Sequence, residues 1–110
     1  MPFGAISALA SQIGVEKKEL IGILDIPART LARRQNERRF RAGESDRLFR
    51  VGRIVALAEE VLGTKEKAAG WLRRANRALG GETPLSYLDT DHGAQQIEDL
   101  LIRIAHGVFS

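Results

Sequence analysis

Apolar residues recur along this chain at helical spacing, and no stretch alternates at period two. That single property excludes a sheet and predicts an all-α fold. Ile6, Leu9 and Ile13 stand at i, i+3 and i+7, and Gly14 follows where a helix-ending glycine belongs. Leu20 and Leu24 share one face of a second short helix over about 16–24. Asp25-Ile26-Pro27 breaks it, because Pro27 forces Ile26 into an extended conformation yet is tolerated in the first turn of a new helix. A third helix is predicted from Pro27 to about Asn36. Arg41-Ala42-Gly43-Glu44 reads as a turn, and Ser45 as the N-cap of the longest helix, 45–62, which Gly63 stops. Its apolar stripe is Leu48, Val51, Ile54 or Val55, Ala58, and Val61 or Leu62.

Beyond it, Thr64 is placed to cap a fifth helix that buries Ala68, Trp71 and Leu72. Gly80-Gly81 marks a loop, and Thr83-Pro84 reads as the cap and first residue of one turn. A last helix over about 91–106 carries Ala94, Ile97, Leu101 and Ile104, before Gly107 and an apolar tail. The expected organisation is two modules, 1–44 and 45–110, joined by the long helix.

Composition narrows the class of function. The 110 residues contain no cysteine, so neither disulfides nor thiolate metal sites are available. No apolar run approaches the ~20 residues of a membrane span, and the N-terminus lacks the pattern of a signal peptide, so the expectation is a cytoplasmic protein without a membrane partner. Charge is uneven: residues 1–53 hold 11 basic against 6 acidic side chains, and residues 54–110 hold 6 against 8. Six arginines fall between Arg29 and Arg41. A basic stripe of this kind neutralises phosphates and releases their counterions, which makes nucleic acid the first partner to consider.

Two short helices with a tight turn between them, the second basic, have the dimensions of a helix-turn-helix. On a wheel at about 100° per residue, turning Leu31 inward sets Arg29, Arg33 and Asn36 outward, flanked by Thr30 and Ala32. Arginine can donate two bonds to guanine, asparagine can pair with adenine, and a Thr or Ala methyl can touch thymine. Arg34, Arg38, Arg39 and Arg41 fall nearer the ends and flanks, where phosphate contacts are expected. The candidate DNA-binding set is therefore Arg29, Thr30, Arg33, Arg34, Asn36 and Arg38.

Catalysis has little to stand on, and the chain reads as a non-enzyme without a cofactor. His92 and His106 are its only histidines. They would lie about 20 Å apart on one continuous helix and could not share a metal. Gly80-Gly81 lacks the strand and lysine of a phosphate loop, and Glu59-Glu60 has no basic or nucleophilic neighbour in the sequence.

The order of several short motifs carries a resemblance. Ile26-Pro-Ala-Arg-Thr-Leu-Ala-Arg-Arg34 is followed by Gly43-Glu-Ser-Asp-Arg-Leu48 and by the series Ala58, Gly63, Ala68, Trp71-Leu72. Asn76, Leu79-Gly80-Gly81, Thr83-Pro84-Leu85, Leu88, Thr90 and Gly93 come next, and Leu101, Ile104 and Gly107 close the pattern. Over residues 15–110 the chain resembles the Xre/MbcA/ParS antitoxins. The resemblance implies an Xre-type DNA-binding domain followed by a toxin-binding domain. It implies an antitoxin that neutralises a RES-domain toxin acting on NAD, and that represses its own operon by binding operator DNA. It also implies that Gly107, Val108, Phe109 and Ser110 lie at the toxin's active site.

A homodimer is expected as well, within a larger toxin–antitoxin hetero-oligomer, since one recognition helix reads only a few base pairs. Val51, Ile54 and Val55 are the candidates to reach beyond one subunit. Two alternatives stand beside the antitoxin: a free-standing helix-turn-helix regulator with a helical dimerisation domain, and a protein-interaction module whose basic patch does not meet DNA.

Overall fold

Among the described residues there are six α-helices and two short 3₁₀ segments and no β-strand, and the longest helix lies at the centre. The structure is a computed structural model, and it describes residues 4–107. In chain order the helices are α1 (Ala5–Ile13), α2 (Lys17–Leu24), α3 (Ala28–Glu37), α4 (Ala42–Leu62), α5 (Lys65–Arg73) and α6 (Asp91–Ala105). The 3₁₀ segments Arg77–Leu79 and Pro84–Asp89 lie between α5 and α6.

Most boundaries follow from local chemistry. Gly14 and Gly63 end α1 and α4 in the left-handed conformation that glycine adopts without steric cost. The Thr64, Thr83 and Thr90 hydroxyls accept from the backbone N–H three residues on, at 3.1, 3.2 and 2.9 Å. Each satisfies one of the orphan donors of a helix start.

Helix α4 differs from expectation. The stretch 42–44, expected as part of a turn, is its first turn, and Arg41 rather than Ser45 is the N-cap residue. The Glu44 carboxylate accepts from the Arg41 backbone N–H at 3.0 Å, which satisfies an orphan donor without a capping hydroxyl. The Ser45 hydroxyl is buried in the helix with no hydrogen-bond partner.

Helix α4 packs against α1, α2, α5, α6 and the 84–89 segment, while α1 also meets α5 and α2 meets 84–89. The two halves of the chain therefore share one core. It runs from Ile6, Ile13, Leu20 and Leu24 through Val51, Ile54, Val55 and Ala58 to Leu72, Leu85, Leu88, Ile97 and Leu101. The expectation that Val51, Ile54 and Val55 reach beyond the subunit is thus corrected, because all three are buried within it. Trp71 lies at the edge of this core, only partly buried.

Candidate nucleic-acid and partner-binding surfaces

Helix α3 is the least embedded of the six. It buries one side chain fully, and that side chain is an arginine. A three-residue turn, Asp25-Ile26-Pro27, joins α2 to α3. Asp25 sits at φ +55, a left-handed position that aspartate tolerates better than most residues. Ile26 plugs into the core before α3, Phe40 does so after it, and Leu31 packs against the core from its middle. From α4, Arg47 Nη1 donates to the Leu24 and Asp25 carbonyls, each at 3.1 Å, and so closes the open C-terminal end of α2.

With α3 held in this way, Arg29, Ala32, Arg33, Gln35 and Asn36 are exposed, and Thr30 is half-buried at the flank. Arg29 and Arg33 make no ion pair among the described residues, so their guanidinium forks are free to meet a ligand. Arg38 caps α3 at φ +61 and is exposed, as are Arg39 and Arg41.

Arg34 is the exception. The sequence reading set it on the exposed flank, and the structure turns it inward, 5% exposed. Its Nε donates to Glu44 at 2.6 Å and its Nη1 to Glu37 at 2.9 Å. On the wheel Arg34 lies about 60° from Leu31, and that angle is the signal that could have placed it inside. Two carboxylates neutralise it, so its charge tethers α3 to the first turn of α4. The hydrogen bond to Glu44 raises the pKa of Arg34, against the opposing effect of burial. Burial pushes Glu44 up, but the bonds from Arg34 and the Arg41 backbone and the attraction of both charges outweigh it and hold the carboxyl below its usual value.

A carboxyl whose pKa is lower folded than unfolded stabilises the fold above the unfolded value, about 4.3 for Glu. That stabilisation is lost as pH falls through the folded value. Glu44→Gln should therefore lower the melting temperature at neutral pH and flatten the acid side of the stability profile. Thermal melts from about pH 7 down to about pH 3 check this. Equal acid slopes in the two proteins would show that the Arg34–Glu44 pair does not couple folding to pH.

The second half presents a different surface. Asn76 Oδ1 accepts from the Ala78 N–H at 2.9 Å, and Gly80 and Gly81 turn the chain at φ +67 and +89. Gly93 is buried against the backbone of Tyr87, where a Cβ has no space. Arg50 Nε lies 2.8 Å from Asp91 Oδ1, yet off the hydrogen-bond direction, so the two attract as charges across α4 and α6. Helix α6 ends at Ala105, and Gly107 follows, exposed, at φ +70. Val108, Phe109 and Ser110, the rest of the expected toxin-binding set, lie outside the described residues. Two large apolar side chains that are exposed among the described residues were not singled out by the sequence, Phe49 on α4 and Ile102 on α6. No cluster of three or more metal-ligating side chains occurs among the described residues, and no described helix is long and apolar enough to cross a membrane.

Comparison with known proteins assigns both halves. The model of the antitoxin Xre-like helix-turn-helix domain matches residues 1–53, and that of the antitoxin Xre/MbcA/ParS C-terminal toxin-binding domain matches 57–107. An antitoxin Xre of Pseudomonas putida is 42% identical over 83 residues, which are 74% of this chain and 52% of the relative. An antitoxin Xre of Yersinia enterocolitica is 38% identical over 98 residues, 87% of this chain and 66% of the relative. One of Photorhabdus laumondii is 40% identical over 96 residues, covering 86% and 65%. The chain thus spans between about half and two thirds of the length of these curated relatives. In fold it resembles a chain of the M. tuberculosis MbcT–MbcA toxin–antitoxin complex, with a TM-score of 0.71 at 24% identity over 98% of this chain and 96% of that one.

Proposed function

The chain belongs to the family of Xre/MbcA/ParS antitoxins, and on that premise we propose that it neutralises a RES-domain toxin acting on NAD and represses its own operon. One observation carries this reading: a single core joins an outward basic helix to a module of the toxin-binding type. A protein that must bind DNA and toxin together gains from such a joint, because each ligand then stabilises the same folded unit. The fold it shares with a chain of a toxin–antitoxin complex supports a protein partner for the second half. In this reading the protein acts without catalysis or cofactor, pairs with a second copy, and assembles with its toxin into a hetero-oligomer.

On DNA, Arg29, Arg33 and Asn36 read base edges in the major groove, while Thr30 supplies a methyl contact and Arg38 a phosphate contact. Arg34 serves that surface from beneath, through Glu44. Arg29→Ala or Arg33→Ala should cost about 1–3 kcal/mol on the cognate site, and Arg38→Ala should weaken all sequences alike and reduce the salt dependence. Fluorescence anisotropy against DNA from upstream of the gene and against scrambled DNA, at several salt concentrations and with and without toxin, is the measurement. Equal affinity for both DNAs in every condition would refute the repressor role.

A further inference from the structure

We propose that the face of α4 bearing Phe49 is the surface on which two copies of this chain pair, antiparallel, about a two-fold axis passing midway between Phe49 and Gly52. The inference deepens the homodimer of the proposed function and rests on it.

Phe49 is 65% exposed, more than any other large apolar side chain among the described residues. Beside it a groove of about 490 Å3 runs between α1 and α4, walled by Ala5, Ala8 and Leu9 on one side and by Leu48, Gly52 and Ala56 on the other. A Cβ at Gly52 would meet no heavy atom within 4 Å, so nothing in the subunit fills that position. A protruding ring next to an apolar slot on the same face is self-complementary. In a two-fold pair each Phe49 lies over the second copy's Gly52, the isologous arrangement in which every contact forms twice.

Charge selects a second copy as the occupant. Asp46, Phe49, Arg53 and Ala56 follow at i, i+3, i+7 and i+10 and so share one stripe of α4. Asp46 is exposed and makes no ion pair among the described residues. Arg53 donates from Nη1 to Glu98 at 2.5 Å, which leaves the rest of its guanidinium fork available. An antiparallel copy reverses the order of the stripe, so acid–ring–base meets base–ring–acid. With Phe49 set opposite Gly52, Arg53 and the second copy's Asp46 are two residues out of register, about 3 Å along the axis. An arginine spans that offset. A parallel copy would set like charges against each other.

The same axis suits the proposed operator. Ala42 lies about 13 Å from it along α4, so the two α4 starts stand about 25 Å apart. Helix α3 leads into each start through Phe40 and Arg41. That spacing is of the same order as one DNA turn, ~34 Å, which two recognition helices on neighbouring half-sites require. Only this spacing depends on the DNA reading.

Sedimentation equilibrium of the full chain across micromolar concentrations tests the proposal, with circular dichroism as the folding control. The wild type should sediment at twice the 12.1 kDa of one chain. Phe49→Asp and Gly52→Leu, both at positions with open space, should each raise the dimer dissociation constant at least about thirtyfold without altering the helical spectrum. Asp46→Arg and Arg53→Asp should each weaken the dimer, and their combination should restore it, a rescue that a purely intra-subunit role would not produce. A monomeric wild type would overturn both the pairing and this interface. A dimer indifferent to Phe49→Asp and Gly52→Leu would keep the pairing and overturn the interface. Loss of toxin binding in Phe49→Asp with the dimer intact would assign the face to the toxin and overturn the proposal as well.

Discussion

Removal of residues 107–110 should abolish protection against the partner toxin while leaving a folded protein with unchanged affinity for operator DNA. The buried stripe of α6 is Ala94, Ile97, Leu100 and Leu101, and the helix ends at Ala105. Truncation after His106 therefore removes none of these buried residues. His106 N–H still donates to the Ile102 carbonyl at 3.0 Å, so the last turn keeps its own closure. What disappears is an apolar tail that the family resemblance assigns to the toxin's active site.

An aromatic seated at the centre of an interface can supply ~2 kcal/mol or more when truncated, so Phe109→Ala should be a milder form of the deletion, while toxin binding through the rest of the module should survive. Pull-down alone does not decide the matter, since toxin can remain attached without being inhibited. Growth rescue on co-expression at matched levels, together with the toxin's activity in vitro, is the measurement. Full rescue by the truncated protein would make the tail dispensable and move the inhibitory contact to the loops between Asn76 and Thr90 or elsewhere on the module.

Gly93→Ala should produce the largest loss of stability of any single methyl added to this fold. A Cβ at Gly93 would stand 2.0 Å from the Tyr87 carbonyl oxygen, 3.0 Å from its carbon and 3.1 Å from the Thr90 hydroxyl. Two of these atoms are backbone and cannot rotate away. The third is the cap of α6, which accepts from the Gly93 N–H at 2.9 Å. Either the 84–89 segment or the start of α6 must move, and both pack against α4.

We expect a cost of about 3 kcal/mol, at the upper end of what overpacking a core costs. For a domain of this size that is a fall in Tm on the order of 10–15 °C. Gly80→Ala is the control. Its φ of +67 makes alanine unfavourable, but the position is open, so the cost is only the conformational one of about 1 kcal/mol. Thermal melts of both variants beside wild type make the comparison. A smaller loss for Gly93→Ala than for Gly80→Ala would show that the 84–89 segment yields without penalty.

The sequence by itself determined what depends on neighbours within one or two helical turns. The all-α class, the ends at Gly14 and Gly63, the threonine caps at 64 and 83, and the outward set Arg29, Arg33 and Asn36 all follow from spacing along a single helix. A cap or a helical face is satisfied by residues three or four positions away, and those lie in plain sight in the chain.

The tertiary structure decided where distant residues meet. Arg34 was legible as a charge but not as a buried one, because its fate rests on Glu44, ten residues away and on another helix. Val51, Ile54 and Val55 read as apolar, yet whether one subunit consumes them depends on how α1, α5 and α6 close around α4. Gly93 stands in the sequence only as part of a motif, and what requires a glycine there, the Tyr87 backbone, is visible only in the structure. Phe49 and Gly52 became a ridge beside a slot only when α1 came to lie alongside α4. Helical periodicity says which side of a helix is apolar, but side-chain burial is a property of the space between elements, and that space exists only after they have packed.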